Sequence, residues 1–350
     1  MRRKQTEILK KMDLLNKEGR LICEGWARHP FWVYDRGAIK AGKWRIKEWD
    51  YYAITSLKNE WTITVTVSDL GYAAMFAIAF IDLKRKSFVQ SDAIKFFSNG
   101  KIGLSPDSVN SSYLTWFNED LRISFIKKGE KRHLLFSSPS LVLPDGRVGI
   151  DVIAELTQPK EMETMNIATS WKENRKAFYL NEKVNCMNVV GTVRFGNDLQ
   201  VFEKDDVWAT LDWGRGRWTY KNQWYWASCS GLLDGVRFGL NLGYGFSDRS
   251  SATENVIFYD GVIHKLEDVD FNIPKTGFVK EPWHFTSNNG RLDLLFDPIV
   301  NRSSNTDFKI IKSVQNQVFG KYSGKIILDD GKELTLSNFP GFAEDVYNKW

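Results

Sequence analysis

The sequence predicts an all-β protein with only minor helix, arranged as two similar antiparallel β domains in tandem. Many short segments alternate between apolar and polar residues and are separated by polar or glycine-containing turns, which is typical of β-sandwiches and β-barrels. The length of 350 residues suits two domains or one large one. A weak internal repeat favours two, because residues 51–56 and 225–230, 174 positions apart, each precede an alternating segment and a Gly-Tyr pair.

Composition excludes several classes of protein. The net charge is +5, but acidic and basic residues are interspersed, so we expect no nucleic-acid partner. The start lacks the apolar core of a signal peptide, and the longest apolar run, residues 72–81, is too short to span a bilayer. We therefore expect a cytoplasmic location without integral membrane association. Cys23, Cys186 and Cys229 are widely spaced and the four histidines are scattered, which predicts no disulfide, metal or cofactor.

The N-terminal half begins with residues 1–20, predicted as an arm or a short amphipathic helix. That helix would present four apolar side chains on one face: Ile8, Leu9, Met12 and Leu15. The first β domain is assigned to residues 21–170. Its clearest strand is residues 61–69, where large apolar side chains alternate with threonine and serine. Residues 73–82 are apolar on both faces, so they predict a strand that is covered on both sides.

The C-terminal half is assigned as the second β domain, residues 171–350. The least regular stretch, residues 158–179, is predicted to contain the connection between the domains, and the strands resume at residues 188–195. The chain is predicted to close with a short helix over residues 342–350. The oligomeric state is not predicted by any of these patterns.

The strongest hairpin signal is the pair Asp260-Gly261 between two apolar runs, which suits a two-residue type I′ turn. The side-chain period of two then sorts the polar residues of the hairpin by face. Asn255 and His264 fall on one face, and Glu254 and Lys265 fall on the opposite one. If the first face points into a cavity, His264 and Asn255 are polar groups in a mostly apolar lining, as in binding pockets.

Residues 207–231 concentrate the side chains of chemical interest, including five of the fourteen tryptophans. Period two puts Asp212 on the face opposite to Trp213, within an otherwise apolar strand. An unpaired charge there is costly, so we expect Asp212 to be buried and either paired with Arg215 or Arg217 or protonated. The two glycines around Arg215 are predicted to break the strand. Aromatic filling of a barrel, with Asp212 capping a turn, is the alternative.

The candidate site combines acidic, basic and aromatic residues. The candidate catalytic residues are Asp212, His264 and Glu254. The candidate ligand-binding residues are Trp213, Arg215, Arg217, Trp224, Trp226, Asn241, Asn255, Trp49 and Tyr52. A buried acid among indoles suits protonation of a double bond, with hydration, cyclisation or isomerisation as the outcome. No P-loop, dinucleotide or α/β-hydrolase motif is present.

Two other functions stay open at this point. The first is a carrier of an apolar or amphipathic small molecule, which a cavity lined only by apolar groups would favour. The second is a glycan-active enzyme with two carboxylates facing each other across an open cleft. The sequence offers several carboxylates for that role: Asp212, Glu24, Glu48, Asp50 and Glu254.

Eight short motifs, taken in order, resemble one known family over nearly the whole chain. They are residues 25–30 (GWARHP), 47–52 (KEWDYY), 211–216 (LDWGRG), 239–243 (GLNLG), 253–255 (TEN), 260–261 (DG), 319–324 (FGKYSG) and 341–344 (GFAE). This set resembles the domain-of-unknown-function 2804 family. The resemblance implies a tandem lipocalin-like β architecture, distantly related to carotenoid hydratases and tocopherol cyclases. In those relatives an acid and aromatic residues at the domain junction handle a carbocation.

Overall fold

The computed structural model describes residues 5–307 and 311–350, which fold almost entirely as β-strands. Helix among these residues is limited to two short 3-10 turns, η1 (Arg36–Ala38) and η2 (Lys43–Arg45). None of the helices in this part of the chain has the length and apolar character needed to cross a membrane.

Residues 5–307 and 311–350 form 24 strands. The first fifteen are β1 (Met12–Asp13), β2 (Gly25–Ala27), β3 (Trp32–Val33), β4 (Ile46–Ser56), β5 (Trp61–Asp69), β6 (Ala73–Asp82), β7 (Ser87–Phe96), β8 (Ser112–Phe117), β9 (Arg122–Lys128), β10 (Lys131–Val142), β11 (Val148–Thr157), β12 (Met165–Trp171), β13 (Asn174–Phe195), β14 (Asp198–Val201) and β15 (Val207–Arg217). The others are β16 (Lys221–Leu233), β17 (Val236–Tyr244), β18 (Val256–Tyr259), β19 (Val262–Lys265), β20 (Val269–Asp270), β21 (Trp283–Ser287), β22 (Leu292–Asp307), β23 (Lys312–Ile327) and β24 (Glu333–Lys349).

Two large antiparallel sheets, each curled around its own apolar core, make up most of the architecture, and β1 and β3 form a separate parallel pair. The first sheet runs β7-β6-β5-β4-β15-β13-β11-β10-β9-β8, and the second runs β19-β18-β17-β16-β24-β23-β22-β21-β20. The predicted all-β fold of two tandem lipocalin-like domains is confirmed. The chain passes from the first sheet to the second between Arg217 and Lys221, whereas the domain assignment from sequence divided the chain after residue 170.

The internal repeat corresponds to equivalent strands in the two sheets. In the first sheet β4 lies between β5 and β15, and β15 is followed by β13. In the second sheet β16 lies between β17 and β24, and β24 is followed by β23. The repeated residues 51–56 and 225–230 belong to β4 and β16. The strands β4, β15 and β13 are therefore equivalent to β16, β24 and β23.

Both predicted helices are wrong. In the N-terminal segment β1 pairs with β3, and of the residues placed on one helical face Ile8 is buried while Leu9 is exposed. Residues 1–4 of the predicted arm lie outside the described residues. The predicted C-terminal helix lies within β24, which pairs with both β16 and β23. The alternation of apolar and polar residues in β24 is hard to detect in the sequence, because the polar residues Glu344 and Asn348 lie on the same face as Phe342. This face packs against the first sheet.

The predicted strand break at the glycines around Arg215 is also wrong, because β15 runs without interruption through Arg217. A methyl group on Gly214 would come within 2.1 Å of the Trp49 ring, and one on Gly216 within 2.4 Å of a backbone oxygen. The glycines therefore permit close approach of neighbouring groups rather than a turn. The stretch predicted as irregular, residues 158–179, contains β12 and the start of β13.

The predicted hairpin is confirmed, since β18 and β19 are joined by Asp260 and Gly261, both with positive φ. Ile257 pairs with His264, so the predicted register holds. Ile257 belongs to the core of the second sheet, whereas Val256 packs between the two sheets. The Glu254 face of the hairpin is consequently the one turned towards the first sheet.

Candidate functional site

The candidate site lies where the outer face of the first sheet packs against the outer face of the second. Along β4, β15 and β13, the residues adjacent to core residues point away from the core of their own sheet. Tyr51, Asp212 and Lys183 are such residues and are neighbours across the three strands. We call these three residues the first triplet.

The second sheet supplies an equivalent set from its equivalent strands. Trp226, Glu344 and Gln317 are neighbours across β16, β24 and β23, and we call them the second triplet. The two triplets are in direct contact, and the Tyr51 and Trp226 rings pack edge to face with their centroids 5.6 Å apart. The Lys183 Nζ atom lies 3.9 Å from the centroid of the Trp226 ring, and Gln317 Nε2 donates a hydrogen bond of 2.8 Å to the Tyr51 hydroxyl. Equivalent strands of the two sheets thus place two triplets face to face, each with one carboxyl group.

The first triplet contains a buried ion pair. Lys183 Nζ lies 2.9 Å from Asp212 Oδ1, and Asn181 Nδ2 donates a hydrogen bond to the same oxygen. Both charged residues are buried, so each depends on the other for compensation. The predicted pairing of Asp212 with Arg215 or Arg217 is wrong, because neither arginine contacts that carboxylate. Arg215 points to the interior of the first sheet and Arg217 bonds a backbone oxygen near the surface.

The second triplet contains a carboxyl group without a bonded cation. Trp224 Nε1 donates to Glu344 Oε2 at 3.3 Å, and Gln317 Nε2 donates to Glu344 Oε1 at 2.7 Å. Arg302 donates to the Gln317 side-chain oxygen at 2.8 Å, which fixes the orientation of that amide. Burial raises the pKa of Glu344 to about 7, so this carboxyl is largely protonated at slightly acidic pH.

A third carboxyl group, Glu254, lies in the same interface. The Tyr179 hydroxyl donates a hydrogen bond of 3.2 Å to Glu254 Oε2, and burial raises the pKa of Glu254. A methyl group on Gly243 would come within 1.7 Å of Glu254 Oε1, so only glycine leaves room for this carboxyl. Asn241 accepts from Trp226 Nε1 at 2.7 Å and donates to the Glu254 backbone oxygen at 2.9 Å.

Aromatic rings extend from the carboxyl groups towards one end of the interface. Trp218 is central among them, with ring centroids of Trp49, Tyr179, Trp224 and Trp350 between 5.5 and 5.9 Å away. Trp49 and Trp224, like Glu344, keep part of their surface accessible. Trp49 precedes Tyr51 as Trp224 precedes Trp226, so the two half-buried indoles are also equivalent by the repeat. The faces of such rings attract positive charge.

Gly214→Ala is expected to displace the Trp49 indole and to lower the free energy of unfolding by about 1–3 kcal/mol, because the new methyl group overlaps the ring. Urea denaturation measures the change. Gly42→Ala is the control, since a methyl group there meets no atom within 4 Å. Equal, small effects of both substitutions would show that the Trp49 position does not require Gly214.

The stability of the protein is expected to depend on pH through Glu344. A glutamate in an unfolded chain has a pKa of about 4.3, whereas burial raises the pKa of Glu344 in the folded protein to about 7. Between these values the folded state binds more protons at this group, so rising pH destabilises the fold. Glu344→Gln removes the effect. The variant should gain stability relative to the wild type by about 3 kcal/mol from pH 4 to pH 8, measured by urea denaturation. A pH-independent difference would contradict this assignment.

The alternation of side chains divides the predicted site residues among three places. The interface holds Asp212, Glu254, Trp224, Trp226, Asn241 and Trp49. The interior of the first sheet holds Tyr52, Trp213 and Arg215, together with Glu48 and Asp50. The core side of the second sheet holds Asn255 and His264. Glu24 bonds Ser170 away from all three places.

His264 does not join the carboxyl groups, because the hairpin turns its face away from the interface. Its Nδ1 atom accepts a hydrogen bond from the Asp329 backbone at 3.2 Å. Asn255 instead bridges strands, accepting from the Gly243 N–H and donating to the Glu267 oxygen. In the described part of the chain, no three His, Cys, Asp or Glu residues are grouped to hold a metal ion.

Sequence reasoning missed several interface residues, and all members of the two triplets except Asp212 and Trp226 are among them: Tyr51, Lys183, Gln317 and Glu344. Lys183 lies in a stretch of β13 that was not assigned to a strand, and Glu344 lies in the segment predicted as a helix. A signal for Lys183 exists, because Phe178, Leu180 and Val184 alternate with polar residues. No comparable signal marks Gln317, whose neighbours are mixed in character.

Comparison with known proteins places the fold and the family. One structure of CghA matches with a TM-score of 0.56 and 10% identity, covering 97% of each chain. A CghA structure determined with Sch210972 matches with a TM-score of 0.54 and 11% identity, covering 87% of this chain and 88% of that one. A Nitrosomonas europaea protein assigned as AttH matches with a TM-score of 0.51 and 10% identity, covering 86% and 92%.

These structures share the overall β architecture with this chain. No curated protein sequence matches it. The model of a domain of unknown function, DUF2804, matches residues 5–350. That match covers nearly the whole chain and agrees with the eight motifs found in the sequence. The protein belongs to the DUF2804 family.

Proposed function

We propose that this protein is an acid/base enzyme of the hydratase, cyclase or isomerase type, acting on a small apolar or amphipathic molecule between the two sheets. The proposal rests on the Glu344 carboxyl group, which lies beside the indole of Trp224 and has a pKa raised to about 7. A general acid works best when its pKa lies near the working pH. Burial keeps the Glu344 carboxyl protonated, so that it has a proton to transfer. The surrounding aromatic rings stabilise a cation.

The duplicated triplets supply two carboxyl groups with different roles. Asp212 is salt-bridged by Lys183, whereas its counterpart Glu344 faces the neutral amide of Gln317. Two carboxyl groups in different environments have different pKa values, so one site can hold both a proton donor and a fixed negative charge. The acid assigned from sequence was Asp212; the salt bridge favours Glu344 for that role and Asp212 for stabilising positive charge.

The chemistry balances with these groups alone. Glu344 would transfer its proton to one carbon of a double bond, leaving a carboxylate and a carbocation flanked by Trp49, Trp224 and Trp226. Attack of water, followed by loss of one of its protons, would give hydration, and direct loss of an adjacent proton would give isomerisation. Attack of a second double bond would close a ring and move the positive charge to another carbon, and loss of a proton next to that carbon would complete cyclisation. In each case one proton is released and returns to the Glu344 carboxylate. The CghA structure determined with Sch210972 supports a small-molecule ligand for this fold.

The two other functions considered from sequence are less well supported. A simple carrier has no need of buried ionisable groups, yet Asp212, Lys183 and Glu254 are all buried at considerable cost. A glycan-active enzyme needs two carboxylates across an open cleft, whereas Asp212 and Glu254 are enclosed between the sheets.

Deuterium labelling tests the proposed function even while the substrate is unidentified. The purified protein is incubated in D₂O with a small-molecule extract of its source cells, and products are analysed by mass spectrometry. Proton transfer to carbon should yield at least one product with carbon-bound deuterium. Asp345→Asn is the control, because Asp345 follows Glu344 on the opposite face of β24. The labelled product should form with this variant and not with Glu344→Gln; equal labelling by both, or none with the wild type, would refute the proposal.

A further inference from the structure

A group of exposed apolar side chains lies at one end of the first sheet, where the edge strand β7 ends. Phe96 and Phe97 are 69% and 70% exposed, and Trp44 of η2 is 56% exposed. Ile94 and Met75, which are paired neighbours on the same face as Phe96, are exposed as well. We call these five residues the exposed face. A group of exposed apolar residues marks a site of interaction with a protein or a membrane.

The turn at Gly71 and Tyr72 brings the aromatic residues of the exposed face together. The Phe97 backbone N–H donates a hydrogen bond of 2.7 Å to the Tyr72 backbone oxygen. A methyl group on Gly71 would come within 2.7 Å of the Trp44 Cα atom, so η2 lies directly against the turn. Phe96 precedes Phe97 in the chain. The three rings therefore belong to residues that border one turn.

The backbone of Phe97 supports a role for its exposed ring. Its φ angle is 57°, in the left-handed region that bulky residues rarely adopt. Among the described non-glycine residues with positive φ, Phe97 is the one aromatic residue. This conformation costs free energy that is not compensated by burial of the ring. Backbone strain of this kind is concentrated at functional sites.

Cations surround the aromatic residues of the exposed face. Lys43 and Arg45 flank Trp44 in the chain, and Lys95 and Lys101 flank the two phenylalanines. The three lysines are exposed. Arg45 is half-buried and donates to two backbone oxygens, which are neutral acceptors. The exposed face thus combines apolar rings with four positive charges.

The carboxylates near the exposed face are fewer than these cations. The segments that carry the cations, residues 36–47 and 93–106, contain no acidic residue. Glu48 is paired with an arginine of the first segment, so the pair adds no net charge. Asp69 is buried beneath the turn, and Asp92 is exposed further back along β7. Each adds one negative charge, and the balance with four cations is positive.

The exposed face borders the aromatic end of the interface between the sheets. Lys47 Nζ donates a hydrogen bond of 2.9 Å to the Trp44 backbone oxygen and lies 5.2 Å from the centroid of the Trp350 ring. The Trp350 ring packs on Trp218, with the two centroids 5.9 Å apart. A surface bound to the exposed face would therefore lie beside the aromatic rings of the interface.

We propose that the exposed face docks on the surface of a membrane that contains anionic lipids. Aromatic rings are suited to the boundary between head groups and acyl chains, and lysines beside them bind anionic head groups. Charge disfavours a second copy of this chain as the occupant, because a symmetric contact would bring the lysines of both copies together. The proposal does not depend on the enzymatic function of the interface.

Co-sedimentation with vesicles tests this proposal. The full chain is mixed with sucrose-loaded vesicles of phosphatidylcholine, with or without phosphatidylserine, and the bound fraction is measured after centrifugation. We expect saturable binding to the vesicles with phosphatidylserine, at least about tenfold stronger than to phosphatidylcholine alone. Added sodium chloride should weaken the binding, because salt screens the charges of the lysines and the lipids.

Phe97→Asn measures the contribution of the exposed ring. Asparagine adopts the left-handed backbone more readily than phenylalanine, so the variant should fold. Its binding to the anionic vesicles should be weaker by at least about tenfold, because an inserted apolar ring is lost. Leu295→Asn is the matched control, since Leu295 is 50% exposed on the second sheet, and this variant should bind as the wild type does. If circular dichroism shows that Phe97→Asn does not fold, Lys95→Gln combined with Lys101→Gln takes its place with the same expected loss.

Four results would overturn the proposal. The first is the absence of binding to either kind of vesicle, and the second is equal binding to both. The third is equal binding by Phe97→Asn and Leu295→Asn, which would place any membrane contact elsewhere on the protein. The fourth is a dimer in analytical ultracentrifugation that Phe97→Asn dissociates, which would assign the exposed face to a second copy of this chain.

Discussion

Asp212→Asn is expected to lower the free energy of unfolding at neutral pH by about 3 kcal/mol or more. The amide leaves the Lys183 ammonium buried without a counter-charge, and breaking a buried ion pair from one side is strongly destabilising. Asn181 also loses its charged acceptor. Urea denaturation followed by circular dichroism measures the change.

A double substitution distinguishes the effect of the unpaired Lys183 charge from the effect of disturbed packing. Asp212→Leu combined with Lys183→Met removes both charges and should be more stable than Asp212→Asn alone, because apolar residues can replace a buried pair without penalty. Glu203→Gln is the surface control, since Glu203 and its partner Lys58 are exposed. Its effect should be much smaller. A wild-type stability for Asp212→Asn would show that the buried pair does not contribute as inferred.

Glu344→Gln is expected to reduce turnover by about 10²–10⁴-fold, the usual contribution of a positioned general acid. The substitution keeps the shape of the side chain and can still accept from Trp224, so the fold should remain intact. At neutral pH the variant should be as stable as the wild type or more so, because a costly buried carboxyl is gone. The initial rate of formation of the deuterium-labelled product measures the loss.

The adjacent Asp345→Asn variant shows whether the loss is specific. Asp345 is half-buried on the opposite face of β24, where it accepts from Gln223 at 3.0 Å. Its rate should stay within about twofold of the wild type. If Asp345→Asn loses as much activity as Glu344→Gln, β24 contributes through its structure and Glu344 is not the acid.

Faces of strands were predictable from the sequence, whereas partners across strands were not. Asp212 was correctly placed opposite to Trp213 and in a buried position, because a period of two depends only on neighbours in the chain. The same logic placed Glu254 away from His264. The partner of Asp212 depends on which strand lies beside β15. That strand is β13, where Glu182 on the core face interrupts the alternation of Phe178, Leu180 and Val184 with polar residues, so Lys183 was not recognised as a candidate.

The second half of the site was hidden for a related reason. Both faces of β24 are covered, one by the core of its own sheet and the other by the first sheet. A half-buried polar residue such as Glu344 on a strand of this kind disturbs the pattern from which strands are recognised. The repeat offered a way to find it: a carboxylate beside Tyr51 in the first sheet predicts a counterpart beside Trp226 in the second.

The proposed function requires that Glu344 holds a proton near neutral pH at the interface between the sheets. Carbon-13 NMR of protein labelled at glutamate side-chain carboxyls, with the Glu344→Gln variant used to assign the resonance, measures this directly. We expect a Glu344 carboxyl resonance that titrates with a midpoint near pH 7, because burial raises the pKa of this group to about that value. A midpoint near that of an ordinary exposed glutamate, about 4.3, would contradict the account.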